Sequence, residues 1–134
     1  MKLLIVPATH IDKAWADGAS CLAAACKDVE EITGDQLKLI LSRGERWLFS
    51  LMDGEKVVGW SAARVDALPN MRVFFITDLV APNADFSRFF TAVKELAASI
   101  GCSRVRCAAK PAQARLYKTK CNLQPIYEIL EVVI

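Results

Sequence analysis

The chain has 134 residues, of which 54% are hydrophobic and 24% charged, with a formal net charge of +2. This is enough apolar material for the core of a single domain over residues 1–134 and too much for a disordered chain. So small a charge gives no reason to expect a nucleic acid or a membrane surface as partner.

The first element is an apolar strand, Lys2 to Val6, ended by Pro7. Its run Leu3-Leu4-Ile5-Val6 is too short for the apolar region of a signal peptide, and nothing approaches a membrane span. Thr9 to Asp12 fits a Thr-x-x-Asp helix cap. Ile11, Ala14, Trp15, Gly18, Leu22, Ala25 and Val29 then recur at helical spacing, and Gly18 is a candidate break. A second helix opens with the capping box Thr33-x-x-Gln36, faces inward through Leu37, Ile40 and Leu41, and stops at Gly44.

Three strands follow. Trp47, Phe49 and Leu51 alternate with Leu48, Ser50 and Met52, and Asp53-Gly54 is a hairpin turn. Lys56 to Val65 returns, Ala67 to Asn70 turns, and Arg72 to Val80 is the third strand of an antiparallel meander. An amphipathic helix runs from about Phe86 to Ile100, with Phe86, Phe89, Phe90, Val93, Leu96, Ala97 and Ile100 inward and Gly101 at its end. Ser103 to Ala108 is a strand. Pro111 opens a helix carrying Ala114, Leu116 and Tyr117, which ends near Asn122, and Ile126 to Ile134 is a final strand. The order is β-αα-βββ-α-β-α-β, an α/β (mixed α+β) arrangement. The crossover after Val80 requires the strands near 72–80 and 103–108 to be parallel.

The five cysteines, Cys21, Cys26, Cys102, Cys107 and Cys121, are odd in number, include no Cys-x-x-Cys, and accompany one histidine, His10. That excludes a zinc site or disulfide framework as the organising device and suits a reducing, cytoplasmic compartment. Cys21 and Cys26 suit small buried apolar positions. His10 stands beside a helix start, in a capping or surface role, and offers no relay to a serine or cysteine nucleophile. Lys110, Arg115, Lys118 and Lys120 form a basic patch, either a solvated face or a site for phosphates or an acidic partner.

Ile76-Thr77-Asp78-Leu79-Val80-Ala81-Pro82 resembles the end of the fourth strand in the GNAT acetyltransferase superfamily. Ala114 to Lys118, followed by Asn122-Leu123-Gln124-Pro125-Ile126-Tyr127, is similar to that family's late helix and the turn after it. Asn122 stands where the family has glycine; asparagine tolerates the left-handed conformation such a turn needs. The element order also matches along the whole chain. The resemblance implies a fold with a splayed parallel strand pair around the pantetheine arm of acetyl-CoA, and acyl transfer to the amine of a small molecule or protein. It implies Tyr117 as the acid that protonates the thiolate leaving group and Asp78 as base, with the amides of Leu79 and Ala81 on the pantetheine arm. A structural tyrosine and a turn carboxylate are the competing roles for Tyr117 and Asp78.

One segment departs from the family. Its pyrophosphate loop reads Arg/Gln-x-x-Gly-x-Gly/Ala, because glycine lets the backbone close on the anion at a helix N-terminus. Aligned from Pro82, those positions hold Asp85, Arg88 and Phe90. Asp85 repels a pyrophosphate and suits a helix cap, Phe90 fills space that must be open, and Arg88 supplies one positive charge. Acetyl-CoA is therefore expected to bind weakly or not at all. Two readings stand: an acetyl-CoA-dependent N-acyltransferase, or a non-enzymatic interaction or structural module of the kind found among small GNAT-like phage and virion proteins. For the module, Trp47, Phe49 and Trp60 on the meander and the apolar strand Glu128 to Ile134 are candidate contact surfaces, the latter for self-association.

Overall fold

The computed structural model describes residues 1–28 and 30–134; the helical position expected of Val29 lies outside the described residues. Five strands lie in chain order across one sheet: β1 (Lys2–Val6), β2 (Trp47–Asp53), β3 (Lys56–Leu68), β4 (Met71–Val80) and β5 (Arg104–Cys107). The first four are antiparallel neighbours and β5 runs parallel to β4. The helix α4 (Phe86–Ser99) supplies the crossover that a parallel pair needs.

Side chains alternate across the sheet, and helices cover both faces. Phe49, Leu51, Ala63, Phe74 and Ile76 point to one face, where Phe89, Phe90, Val93 and Ala97 of α4 bury them together with Tyr117 of α5 (Pro111–Lys120). Leu48, Trp60 and Ala62 point to the other, under α1 (Ile11–Ala14), α2 (Cys21–Ala25) and α3 (Gly34–Ser42). The α3 capping box forms in both directions: Gln36 N donates to Thr33 Oγ1 and Thr33 N donates to Gln36 Oε1.

Several expectations are corrected. Thr9 does not cap; it lies in a 3₁₀ turn, Ala8–His10, and α1 starts without a side-chain cap. The first helical region is broken, as Gly18 suggested. Gly18 has φ 135°, and a Cβ there would lie 3.2 Å from Trp60 Nε1, so both conformation and space require glycine. Phe49 and Trp60 are buried and Trp47 half-buried, so the meander offers no aromatic docking face.

The largest correction is at the end of the chain. Ile126 to Ile134 forms no strand: these residues carry no regular structure and lie exposed. The physical reason is upstream. Asn122 takes φ 59°, the left-handed turn expected of it, and Leu123 N donates back to the Tyr117 carbonyl, which closes α5. The chain then leaves beside β5, a strand of only four residues, without pairing to it.

Gly59 marks the tightest approach between β3 and the end of β4. A Cβ there would sit 2.6 Å from Ala81 Cβ and 2.7 Å from the Val80 carbonyl oxygen. Because backbone must move to admit it, Gly59→Ala should destabilise the fold by about 1–3 kcal/mol in urea denaturation.

Candidate functional site

The site begins with a bulge. Ala62 is opposite Asp78 and Ala63 opposite Ile76, which leaves Thr77 as the extra residue on β4. Such a bulge re-aims the side chains around it. Thr77 Oγ1 lies 2.7 Å from Asp78 Oδ2 and 3.2 Å from the Ala62 carbonyl oxygen, and its single proton serves one of them at a time. Ser61 donates its hydroxyl to the Asp78 carbonyl at 2.8 Å. Arg46 approaches Asp78 Oδ2 to 3.8 Å. Both side-chain contacts of this carboxylate fall on Oδ2.

β4 and β5 pair only over Val73–Ile76 and Arg104–Cys107. Beyond Ile76 they diverge and a cavity of about 180 Å³ opens between them. Thr77, Asp78 and Leu79 line it from β4, Cys26 and Gln113 from the flanking helical segments, and Phe90 and Tyr117 from α4 and α5. A broader hollow of about 1000 Å³ adjoins it on the α3 side and shares Thr77, Asp78 and Gln113. Gln36, Arg46, Arg64 and Lys110 wall that hollow. The structure brings Tyr117, Asp78 and Leu79 around one space. Ala81 is buried in the α4-side core instead, and Arg88 is exposed; neither lines the cavity.

Tyr117 is nearly enclosed. The Phe90 ring meets it edge-on at 5.1 Å and the Phe86 ring at 5.7 Å. Burial, with smaller contributions from Cys107 and Cys121 nearby, pushes the phenol above its ordinary 10.0. Its proton is held more tightly than a free tyrosine's. Cys26 borders the same cavity, and burial with the Asp78 charge raises its thiol, an effect that Arg46 partly offsets. A protonated thiol is a poor nucleophile. All five cysteines are free, and among the described residues no group of three His, Cys, Asp or Glu side chains has a metal-binding arrangement.

The start of α4 carries a carboxylate on its own amides. Asp85 is the N-cap of α4: its Oδ1 accepts from Ser87 N at 2.9 Å and Arg88 N at 3.4 Å. Those are the amides that a pyrophosphate at this helix N-terminus would take. Phe90 is buried between Phe89 and Tyr117, and Arg88 Nη2 lies 3.9 Å from Asp53 Oδ1, away from the cavity. These residues do not fit the pyrophosphate end of acetyl-CoA. Sequence reasoning missed Arg46 and the Phe86–Tyr117 contact. Thr77, beside Asp78, was visible in the sequence; the pairing of Arg46 with Asp78 across 32 positions left no local signal.

A twisted mixed sheet with helices on both faces and a parallel pair parting over a bulge is the architecture of the GNAT acetyltransferases. Comparison with solved structures agrees. An aminoglycoside acetyltransferase, meta-AAC0020, from an uncultured soil metagenomic sample, solved with sisomicin, superposes with a TM-score of 0.69 at 14% identity, over 99% of this chain and 94% of that one. The aminoglycoside N-acetyltransferase AAC(6')-Iy, solved with CoA, gives a TM-score of 0.65 at 12% identity, over 99% and 93%. An acetyltransferase of Trypanosoma brucei gives 0.63 at 12%, over 99% of both. The chain therefore has the GNAT acetyltransferase fold. No protein-family model matches its sequence, and no curated protein does. Among the described residues no helix is long and apolar enough to cross a membrane.

Two outcomes follow from this geometry. Asp85→Ala, which frees two α4 amides, should cost about 1 kcal/mol of stability, read by chemical denaturation. Alkaline pH should also destabilise the protein. Tyr117 and Cys107 hold their protons above the ordinary 10.0 and 9.0, so their contribution is complete below those values and is lost as pH rises through the raised folded ones. Denaturation midpoints should fall above about pH 9, and Tyr117→Phe should flatten the part of that fall beyond pH 10.

Proposed function

We propose that this chain is a GNAT-fold protein whose donor end has become packed structure, and that it works as an interaction module, not as an acetyl-CoA-dependent catalyst. One observation carries the reading: the Asp85 carboxylate holds the α4 amides that a pyrophosphate would need. A dianion brought there meets a fixed negative charge and no vacant donor on those two amides. Phe90, packed edge-on against Tyr117, supports the same conclusion, because a large buried ring stands where the family's loop has a small residue.

A second reading rests on a different observation. Tyr117, Asp78 and Leu79 surround one cavity that opens to a wide, partly polar hollow. Under that reading the chain is an N-acyltransferase acting on an amine, with Asp78 the proton acceptor and Tyr117 the proton donor. The amides of Leu79 and Ala81 and the Arg88 side chain are then the donor-side contacts. The aminoglycoside acceptors of proteins with this fold suggest a small polyamine-like substrate for the hollow.

Calorimetric titration with acetyl-CoA and with CoA separates the two. The expected result is no binding, or binding weaker than about 1 mM, beyond the 1 μM–1 mM range usual for enzyme substrates. Submicromolar affinity would overturn the module reading. Should transfer to an amine be found, Tyr117→Phe should cut kcat on the order of a hundredfold with little change in KM; unchanged turnover in that folded variant removes Tyr117 from the chemistry.

A further inference from the structure

We propose that β1 is a docking edge on which a second copy of this chain pairs its own β1, antiparallel and across a two-fold axis, so that one sheet runs through both copies. β1 ends the sheet on the side away from β5, and among the described residues no strand pairs on its outer side. Open edges invite pairing because their amides and carbonyls lack partners.

The two ends of this sheet are built differently. β5 has four residues, and two of them, Arg104 and Arg106, are charged. Charge on an edge strand is a common device against pairing. β1 lacks that protection. Lys2 is its one charge, at the first position, and its ladder to β2 runs without a bulge from Lys2 opposite Met52 to Val6 opposite Leu48. The other four residues are apolar on both faces: Leu3 packs on the α4 side and Val6 on the α1–α3 side. A continuous apolar run is the pattern of an interior strand, not of an edge. Yet Leu4 and Ile5, one on each face, are 41% and 51% exposed.

Symmetry selects the occupant. Under a two-fold axis the same patch serves both partners, and residues opposite each other must share a face. Of the registers that meet this condition, the one centred on Leu4 pairs all five residues. Leu4 meets its own counterpart, Leu3 meets the second copy's Ile5, and Lys2 meets the second copy's Val6. The two lysines then lie about 13 Å apart along the strands, farther than the ~8 Å over which exposed charges act at physiological salt. A foreign peptide added to a sheet edge takes its specificity from pockets for alternate side chains. The cavities described above gather at β4 and β5 and do not border β1, so this edge is matched to its own sequence. Two paired strands of five residues bury less than the ~800 Å² per partner of a standard interface, so the dimer is weak and forms as concentration rises.

Sedimentation of the full chain from micromolar to millimolar concentration tests this. The average mass should climb towards that of a dimer, and Ile5→Lys, which puts a charge in the middle of the edge, should weaken association by at least about tenfold. Ile5 is half exposed, so the variant monomer should keep its fold and its far-ultraviolet spectrum. A second variant reads the register. Opposed residues of antiparallel strands have Cα atoms about 4.5–5.5 Å apart, within the range a disulfide spans, so Leu4→Cys should cross-link two copies under mild oxidation. Lys2→Cys, at an equally exposed position, should not. The wild type, whose five cysteines are half-buried or buried, supplies the baseline. Three results would overturn the proposal: a wild-type protein that stays monomeric throughout, a dimer untouched by Ile5→Lys, or cross-linking as ready through Lys2→Cys as through Leu4→Cys. None of them depends on whether acetyl-CoA binds.

Discussion

Everything about the cleft depends on how briefly β4 and β5 hold together. Four residue pairs, Val73–Ile76 with Arg104–Cys107, fix the two strands, and the bulge at Thr77 then turns β4 away. A longer ladder would have closed the space between Asp78 and Tyr117. A shorter one would have left α4 and α5 without a common base. The bulge stays in place because its polar groups are satisfied locally: Ser61 meets the Asp78 carbonyl, and Thr77 meets Asp78 or Ala62. Backbone irregularity in a half-buried sheet is stable only on such terms.

Much of this was legible in the sequence because it rests on local chemistry. The Thr33–Gln36 box, the Asp53-Gly54 turn, the Asp85 cap and the left-handed Asn122 each follow from one residue's conformational or hydrogen-bonding preference. The parallel pairing of β4 and β5 followed from the crossover length. Reading failed where the deciding partner lay far off in the chain. The exposure expected for Phe49 and Trp60 was wrong because α4 covers one and the α1–α3 layer the other. Ile126 to Ile134 has every local mark of a strand, but a strand needs a neighbour, and composition says nothing about whether four residues of β5 suffice.

The site was partly legible for the same reason. Tyr117, Asp78 and Leu79 belong to segments that resemble those of a known fold, and in the structure they line one cavity. Arg88 was read as a charge available to a phosphate, but its partner is Asp53 on the hairpin, which nothing near it in sequence announces. The pair is exposed on both sides and contributes little to stability. It leaves the guanidinium beside the hairpin, at the surface.

The Asp85 cap carries a consequence for how this protein can change. Its carboxylate closes the helix start, while Phe90 one turn on is part of the core beside Tyr117. A variant gaining an anion seat here must lose the cap and empty the Phe90 site, and emptying a buried phenylalanine site costs about 3–5 kcal/mol. Neither step confers binding alone, and each one weakens a fold whose whole margin is of the order of 5–15 kcal/mol. Selection for stability therefore works as a ratchet at this helix. With these two residues in place, any change away from them is costly from the first step.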